Sequence, residues 1–310
     1  MPHYSLDKSL TYNRWDNSYS FRLTIESGDT VRLELPDASD GQVQPDMTAD
    51  EFAKVDSSRI HGLTGPIEVS GAMPGDQLKI EILSYEDEGW AWTSIIPGLG
   101  LLTDQFTNHY LHSWVLENGQ TRSMPGLTLD LDPFCGIIGV QSAEAGEFRT
   151  RAPGPFGGNL DVKHLVAGSV LHLPVLVPGA GLCAGDCHAA QGDGEVCVNG
   201  MEAPMAVTLK ISLIKDHPID GPYLLTPGQL NPKRYLEKPF HVFIESDEDP
   251  REASKRVVKR AMELLEQRTT LSAEQAYITC SVVLDLKISQ LVNAPMTTVS
   301  GYLPEAIFDS

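Results

Sequence analysis

Apolar and polar residues alternate with a period of two over several short stretches of this chain. Phe21-Arg22-Leu23-Thr24-Ile25 is one such run, and Thr30-Val31-Arg32-Leu33-Glu34-Leu35 is another, with Ser27-Gly28-Asp29 between them. That period marks half-buried strands, and a Gly-centred turn cluster between two of them predicts a β-hairpin. Residues 66–70 and 77–82 repeat the pattern around Pro74-Gly75-Asp76, where Pro fixes φ and Gly supplies a positive φ for a tight turn. Residues 37–56 are polar and acidic, which predicts a long surface segment with a short helix near 49–55. Gly/Pro clusters at 96–100 and 153–158 punctuate further short strands, as in a sandwich or barrel. The apolar run 168–175 predicts a strand buried on both faces.

The pattern changes near residue 215. Val257, Val258, Ala261, Leu264 and Leu265 recur at helical spacing behind Asp249-Pro250, a capping residue followed by the proline that suits a first helical turn. Arg251, Lys255, Arg256, Lys259 and Arg260 form the opposite, solvated face. Ser272 with Gln275 makes a capping box that opens a second helix to about 283, and alternation then predicts a strand to 291. The expected architecture is mainly β: a β-rich body over 1–215 and an α/β part over 216–310 packed on it.

With 42 acidic against 23 basic residues the chain carries a formal charge of −19. A field of that sign repels phosphate backbones and anionic lipid, so nucleic acid and membrane are excluded as partners, while a neutral small molecule is indifferent to it. The five cysteines are odd in number and scattered, unlike a secreted disulfide framework. Residues 1–7 show no basic-then-apolar leader, and a cytoplasmic protein is expected. An even-numbered homo-oligomer, a homodimer or higher, is the default assembly.

The densest chemistry lies in Gly185-Asp186-Cys187-His188-Ala189-Ala190-Gln191-Gly192-Asp193-Gly194-Glu195. Three carboxylates, an imidazole and an amide sit among glycines that let the backbone fold them toward one point. Asp186 and His188, with Glu195 further on, have the donor types for a divalent ion. Asn159 and Asp161 share one face of an extended segment, and His61 precedes a long strand.

Four segments resemble the acetamidase/formamidase family: His61-Gly62 to Gly75-Asp76, residues 133–140, Gly158-Asn159-Leu160-Asp161, and residues 173–195. Residues 285–290 resemble its C-terminal segment. Cys187 within the motif is one departure, and His61-Gly62-Leu63-Thr64-Gly65, which lacks the family's frequent aromatic after the histidine, is another. The resemblance implies a β-rich fold related to jelly-roll sandwiches with an α/β C-terminal part. It also implies hydrolysis of short aliphatic amides to acid and ammonia with a divalent metal, zinc foremost and calcium or manganese as alternatives. On that basis Asp161, Asp186, His188 and Glu195 are the expected ligands, and Glu195, Asp193 and Gln191 the expected catalytic groups. Asn159, Gln191 and His61 are expected to hold a small neutral amide. Two rival readings are an amidase with Cys135 as nucleophile and a non-catalytic, metal-dependent β-sandwich binding module, in which Trp90 and Trp92 would stack on a ligand.

Overall fold

The computed structural model describes residues 3–309. Two sheets share most of one apolar core. The six-stranded sheet runs in the order His3–Leu6, Asp29–Leu35, Met205–Ile214, Gln77–Asp87, Val170–Pro174, Tyr223–Leu225. The five-stranded sheet runs Gly157–Asn159, Phe134–Gly139, Ala180–His188, Leu63–Val69, Leu23–Ile25. The fold is mainly β, as expected.

The period-two reading located the strands but not all of their partners. Leu23–Ile25 pairs in parallel with Leu63–Val69, whereas Asp29–Leu35 joins the other sheet beside His3–Leu6 and Met205–Ile214. The segment around Gly28 is therefore an arch from one sheet to the other, not a hairpin. The turn at Pro74-Gly75-Asp76 likewise links Leu63–Val69 in one sheet to Gln77–Asp87 in the other. Alternation fixes which face of a strand is buried, and an arch between packed sheets satisfies it as well as a hairpin does.

Two further expectations are corrected. Val170–Pro174 buries Leu171 and Leu173 but leaves Val170 and His172 partly exposed, so only one face is sealed. The stretch 37–56 is not simply surface: Asp37, Ser39, Val43 and Phe52 are buried. The Asp37 carboxylate accepts from the amides of Ser39 (2.8 Å) and Gly41 (3.1 Å) and from the Trp92 indole N–H (3.1 Å), which satisfies a buried charge. The helix Ala49–Phe52 carries a Thr48/Glu51 capping box.

The C-terminal elements follow their sequence signals closely. Asp249 caps Pro250–Arg268, and Ser272/Gln275 form the capping box of Ala273–Val283. An antiparallel sheet of Phe240–Asp247, Thr297–Pro304 and Asp285–Gln290 packs with these helices. The basic helix face is only partly solvated, because Arg256 and Arg260 pair with Glu245 on that sheet. The second helix also braces the body. Tyr277 Oη accepts from the amides of Leu101 (3.0 Å) and Leu102 (3.1 Å) and donates to the Val196 carbonyl (2.6 Å).

Candidate active site

Neighbouring strands of the five-stranded sheet bring their ends to one point. Ala180–His188, buried at all nine positions, ends on Asp186 and His188, which share a face. These two residues thus belong to a core strand and not to the loop the sequence suggested. The register Cys135↔Cys187 and Ile137↔Gly185 sets Gly136 opposite Asp186. The Gly136 carbonyl accepts from the amides of Leu160 (2.9 Å) and Asp161 (3.2 Å), which holds Asp161 over the same spot. On the other flank Gly185 pairs with Leu63, and His61, just upstream, reaches in with Nε2 3.8 Å from Asp186 Oδ2.

Beyond His188 the chain loops out and returns. Ala189 N donates to the Met201 carbonyl (2.7 Å) and Ala203 N to the Cys187 carbonyl (2.8 Å), which seats Glu202 beside His188. Glu202 Oε1 lies 3.1 Å from His188 Nε2 and accepts from Gly200 N–H at 3.0 Å. Candidate ligand atoms of Asp161, Asp186 and His188 lie within 4.8 Å of one another, as do those of His188, Glu195 and Glu202. His188 belongs to both sets.

The hydrogen bonds of Gln191 define the tautomer of His188. Its Nε2 donates to the Asp161 carbonyl (3.0 Å), so its Oε1 faces His188 Nδ1 (2.6 Å) and that nitrogen must carry the proton. Nε2 of His188 is then directed at the carboxylates. It is buried without a satisfied hydrogen bond, and so are Asp161 Oδ1 and Glu202 Oε2. A second partner that fixes the ring and leaves the far nitrogen free is how metal-binding histidines are held.

The charges cannot coexist unaided. Burial pushes the Asp161 carboxyl up to about 7, with Asp186 adding to the rise and His188 opposing it. Burial likewise lifts Glu202 to about 8 against the pull of His188, and it raises Glu195 well above its usual range, helped by Asp161. For Asp186 burial acts in the same sense, but His61 and His188 outweigh it and hold the group below the ordinary carboxylate range. For His188 burial opposes protonation, and Glu202 and Asp186 reverse that. Carboxylates repelling one another around an imidazole fit a divalent cation, which would compensate the like charges. Three of the acids sit on left-handed backbone: Asp161 at φ 48°, Asp186 at φ 53° and Glu195 at φ 44°. Such strain costs about 1–3 kcal/mol per residue and collects at functional sites.

His61, Asn159, Asp186, Glu195 and Glu202 are among the residues that line a cavity of ≈ 190 Å³. Asn159 Nδ2 donates to the Arg151 carbonyl (3.3 Å), while its buried Oδ1 has no partner.

Compared with known proteins, the model of the Acetamidase/Formamidase family matches residues 3–145 and 141–310. The chain belongs to the acetamidase/formamidase family. A formamidase from Methylophilus methylotrophus is 28% identical over an alignment covering 96% of this chain and 89% of that protein. The solved acetamidase from Bacillus halodurans is 33% identical, with 96% of each chain covered and a TM-score of 0.69. A solved γ-lactamase from Delftia acidovorans is 25% identical but superposes with a TM-score of 0.91, covering 99% of this chain and 94% of that one.

Within this acetamidase/formamidase chain, the residues singled out from sequence divide into groups. Asp161, Asp186, His188 and Glu195 converge, with His61 and Asn159 at the cavity. Gln191 lies at the cluster but spends both ends of its amide on His188 and Asp161, which suits positioning rather than holding a substrate. Asp193 turns away: its carboxylate lies 3.5 Å from Lys163 Nζ, on the side where Lys163 also pairs with Asp285. Cys135 is fully buried with its Sγ 3.6 Å from Cys187 Sγ and does not line the cavity. Trp90 does not line the cavity, and Trp92, 3% exposed, contributes to its wall. Glu202 was not anticipated. Its signal was a lone carboxylate in the otherwise apolar run Met201-Glu202-Ala203-Pro204-Met205, which burial would make costly unless it had a task.

Proposed function

We propose that this amidohydrolase cleaves a neutral carboxamide to the carboxylic acid and ammonia, using a divalent cation held by Asp161, Asp186 and His188. The observation that carries this reading is the buried, unpartnered Nε2 of His188 facing a ring of carboxylates. When bound, such an ion acidifies a water and polarises the carbonyl as a Lewis acid. The chain's own groups supply the rest. Gln191 fixes the ring of His188. Asn159 Oδ1 accepts from the substrate NH₂, orienting the carbonyl carbon toward the acids. Glu202, anchored through Oε1 by the Gly200 amide, takes a proton from water on Oε2 as the oxygen attacks. It returns that proton to nitrogen as the C–N bond breaks. Glu195, which also faces the cavity, orients the attacking water.

The test is ammonia release by purified protein, before and after chelation, and in Glu202→Gln. The expected results are loss of turnover on chelation, recovery on adding back a divalent ion, and a fall in kcat of at least about 100-fold in the variant. Full activity after exhaustive chelation would remove the cation from the mechanism.

A second reading draws on one specific observation, the TM-score of 0.91 with the γ-lactamase against 0.69 with the acetamidase. In a cyclic amide the leaving nitrogen stays tethered, so the product is an amino acid and no ammonia appears. Ring opening followed by chromatography distinguishes the two readings.

A further inference from the structure

We infer that the cavity selects a neutral amide with a hydrocarbon body of several carbons, in preference to formamide or acetamide. This rests on the amide-hydrolysis reading above and names its substrate class. Besides the acids, the cavity is lined by Phe52, Val55, Trp92, Ile96 and Leu99, and Trp92 is paired through its backbone with Glu202. Phe52 and Trp92 are both buried, with ring centroids 5.6 Å apart, and belong to an apolar cluster separate from the main core. The indole N–H of Trp92 is spent on Asp37 (3.1 Å), so the ring has no hydrogen to offer a polar ligand. The volume of ≈ 190 Å³ exceeds one water many times over, since a water's share of liquid volume is about 30 Å³. Formamide carries only a hydrogen on its carbonyl and acetamide a single methyl, so neither can cover this wall. A longer acyl chain displaces water from it, and each methylene buried should raise kcat/KM by about fourfold.

Arg151 lies at the same cavity and makes no ion pair among the described residues. It provides the natural counter-test, because a cavity made for an anionic amide would use it. The experiment measures kcat/KM of the enzyme as purified for formamide, acetamide, butyramide, hexanamide, caprolactam and the monoamide of adipic acid. A rise from acetamide through hexanamide is expected, with the adipic monoamide well below hexanamide. Formamide or acetamide as the best substrate, or the carboxylated amide outranking hexanamide, would overturn the inference. Caprolactam outranking hexanamide would keep the hydrocarbon preference and assign it to a ring.

Val55→Trp and Ile96→Trp each add bulk to the lining, and the hexanamide-to-acetamide ratio should drop at least tenfold in whichever variant retains a cooperative melt. An unchanged ratio counts against the assignment. If no amide were hydrolysed, the amide-hydrolysis reading would fall by itself. Calorimetric binding would then decide this one, with tighter binding of hexanamide than of acetamide required.

Discussion

At the scale of single residues, the site depends on close approaches that only glycine permits. A β-carbon at 136 would stand 2.8 Å from Asp161 Oδ1 and 3.1 Å from Asp186 Oδ2, and one at 200 would stand 2.8 Å from His188 Nδ1. Gly136→Ala should therefore push the carboxylates apart. The expected outcome is loss of bound divalent ion, read by elemental analysis, with kcat/KM falling about 10–100-fold as for other disturbed metal surroundings. Asp193→Asn is the contrasting case. Since Asp193 faces Lys163 rather than the cluster, kcat should stay within about threefold of the parent, the range expected of substitutions away from critical features. A collapse of activity there would restore Asp193 to the chemistry. Sequence spacing could not separate Asp193 from Asp186, because both stand in one acidic, Gly-rich run. What separates them is that Asp186 closes a buried strand and Asp193 follows the turn at Gly192. Glu202 was hidden for the opposite reason: it lies beyond the motif and returns to it through the pairings of Ala189 with Met201 and of Ala203 with Cys187.

At the scale of elements, local chemistry was the legible part and partnership was not. The caps at Asp249 and Ser272 predicted helix starts because they satisfy nearby amides, an interaction confined to a few residues. The runs at 21–25 and 30–35 looked like a hairpin because pairing is a long-range choice that alternation does not encode. The helix Ala273–Val283 does more than fill the α/β part: Ser281 Oγ donates to the Asn199 carbonyl (2.8 Å) and Gly192 N to the Ser281 carbonyl (2.9 Å), both on the loop that carries Glu195. Tyr277 ties the same helix to Leu101, Leu102 and Val196. Tyr277→Phe leaves the Leu102 amide without its partner, while the Leu101 amide keeps the Val196 carbonyl (2.9 Å), and should cost about 1–3 kcal/mol in urea unfolding. Because Val196 adjoins Glu195, a rise in KM should accompany it. An unchanged midpoint in urea would show that water replaces the hydroxyl without penalty.

At the scale of the whole molecule, acid stability is set by groups outside the site as well as within it. His112 packs edge-on to Trp114, with centroids 4.5 Å apart, and its Nε2 is buried without a partner. Burial depresses its pKa from 6.5 to about 4. The folded ring is then neutral over a range where the unfolded chain already holds the proton, so stability is full above about 6.5 and is lost as pH falls through about 4. His112→Phe should flatten the fall in Tm over that window, and an identical pH profile would clear His112 of the effect. Glu305 acts lower on the scale. The Arg268 guanidinium, with His241, holds its carboxyl down at about 2 from 4.5, so its contribution is present above 4.5 and fades as pH falls through about 2. Among the described residues, no helix is long and apolar enough to cross a membrane.

The strand Ala180–His188 is sealed in the sheet from end to end, while residues 37–62 hold only one turn of α-helix and one of 3₁₀-helix between irregular stretches. The sealed strand supplies Asp186 and His188, whereas the irregular stretch supplies Phe52 and Val55 to the apolar lining and His61 to the acid cluster. Exchange of Phe52 or Val55 would therefore alter what fits the cavity while Asp186 and His188 stay fixed in their strand.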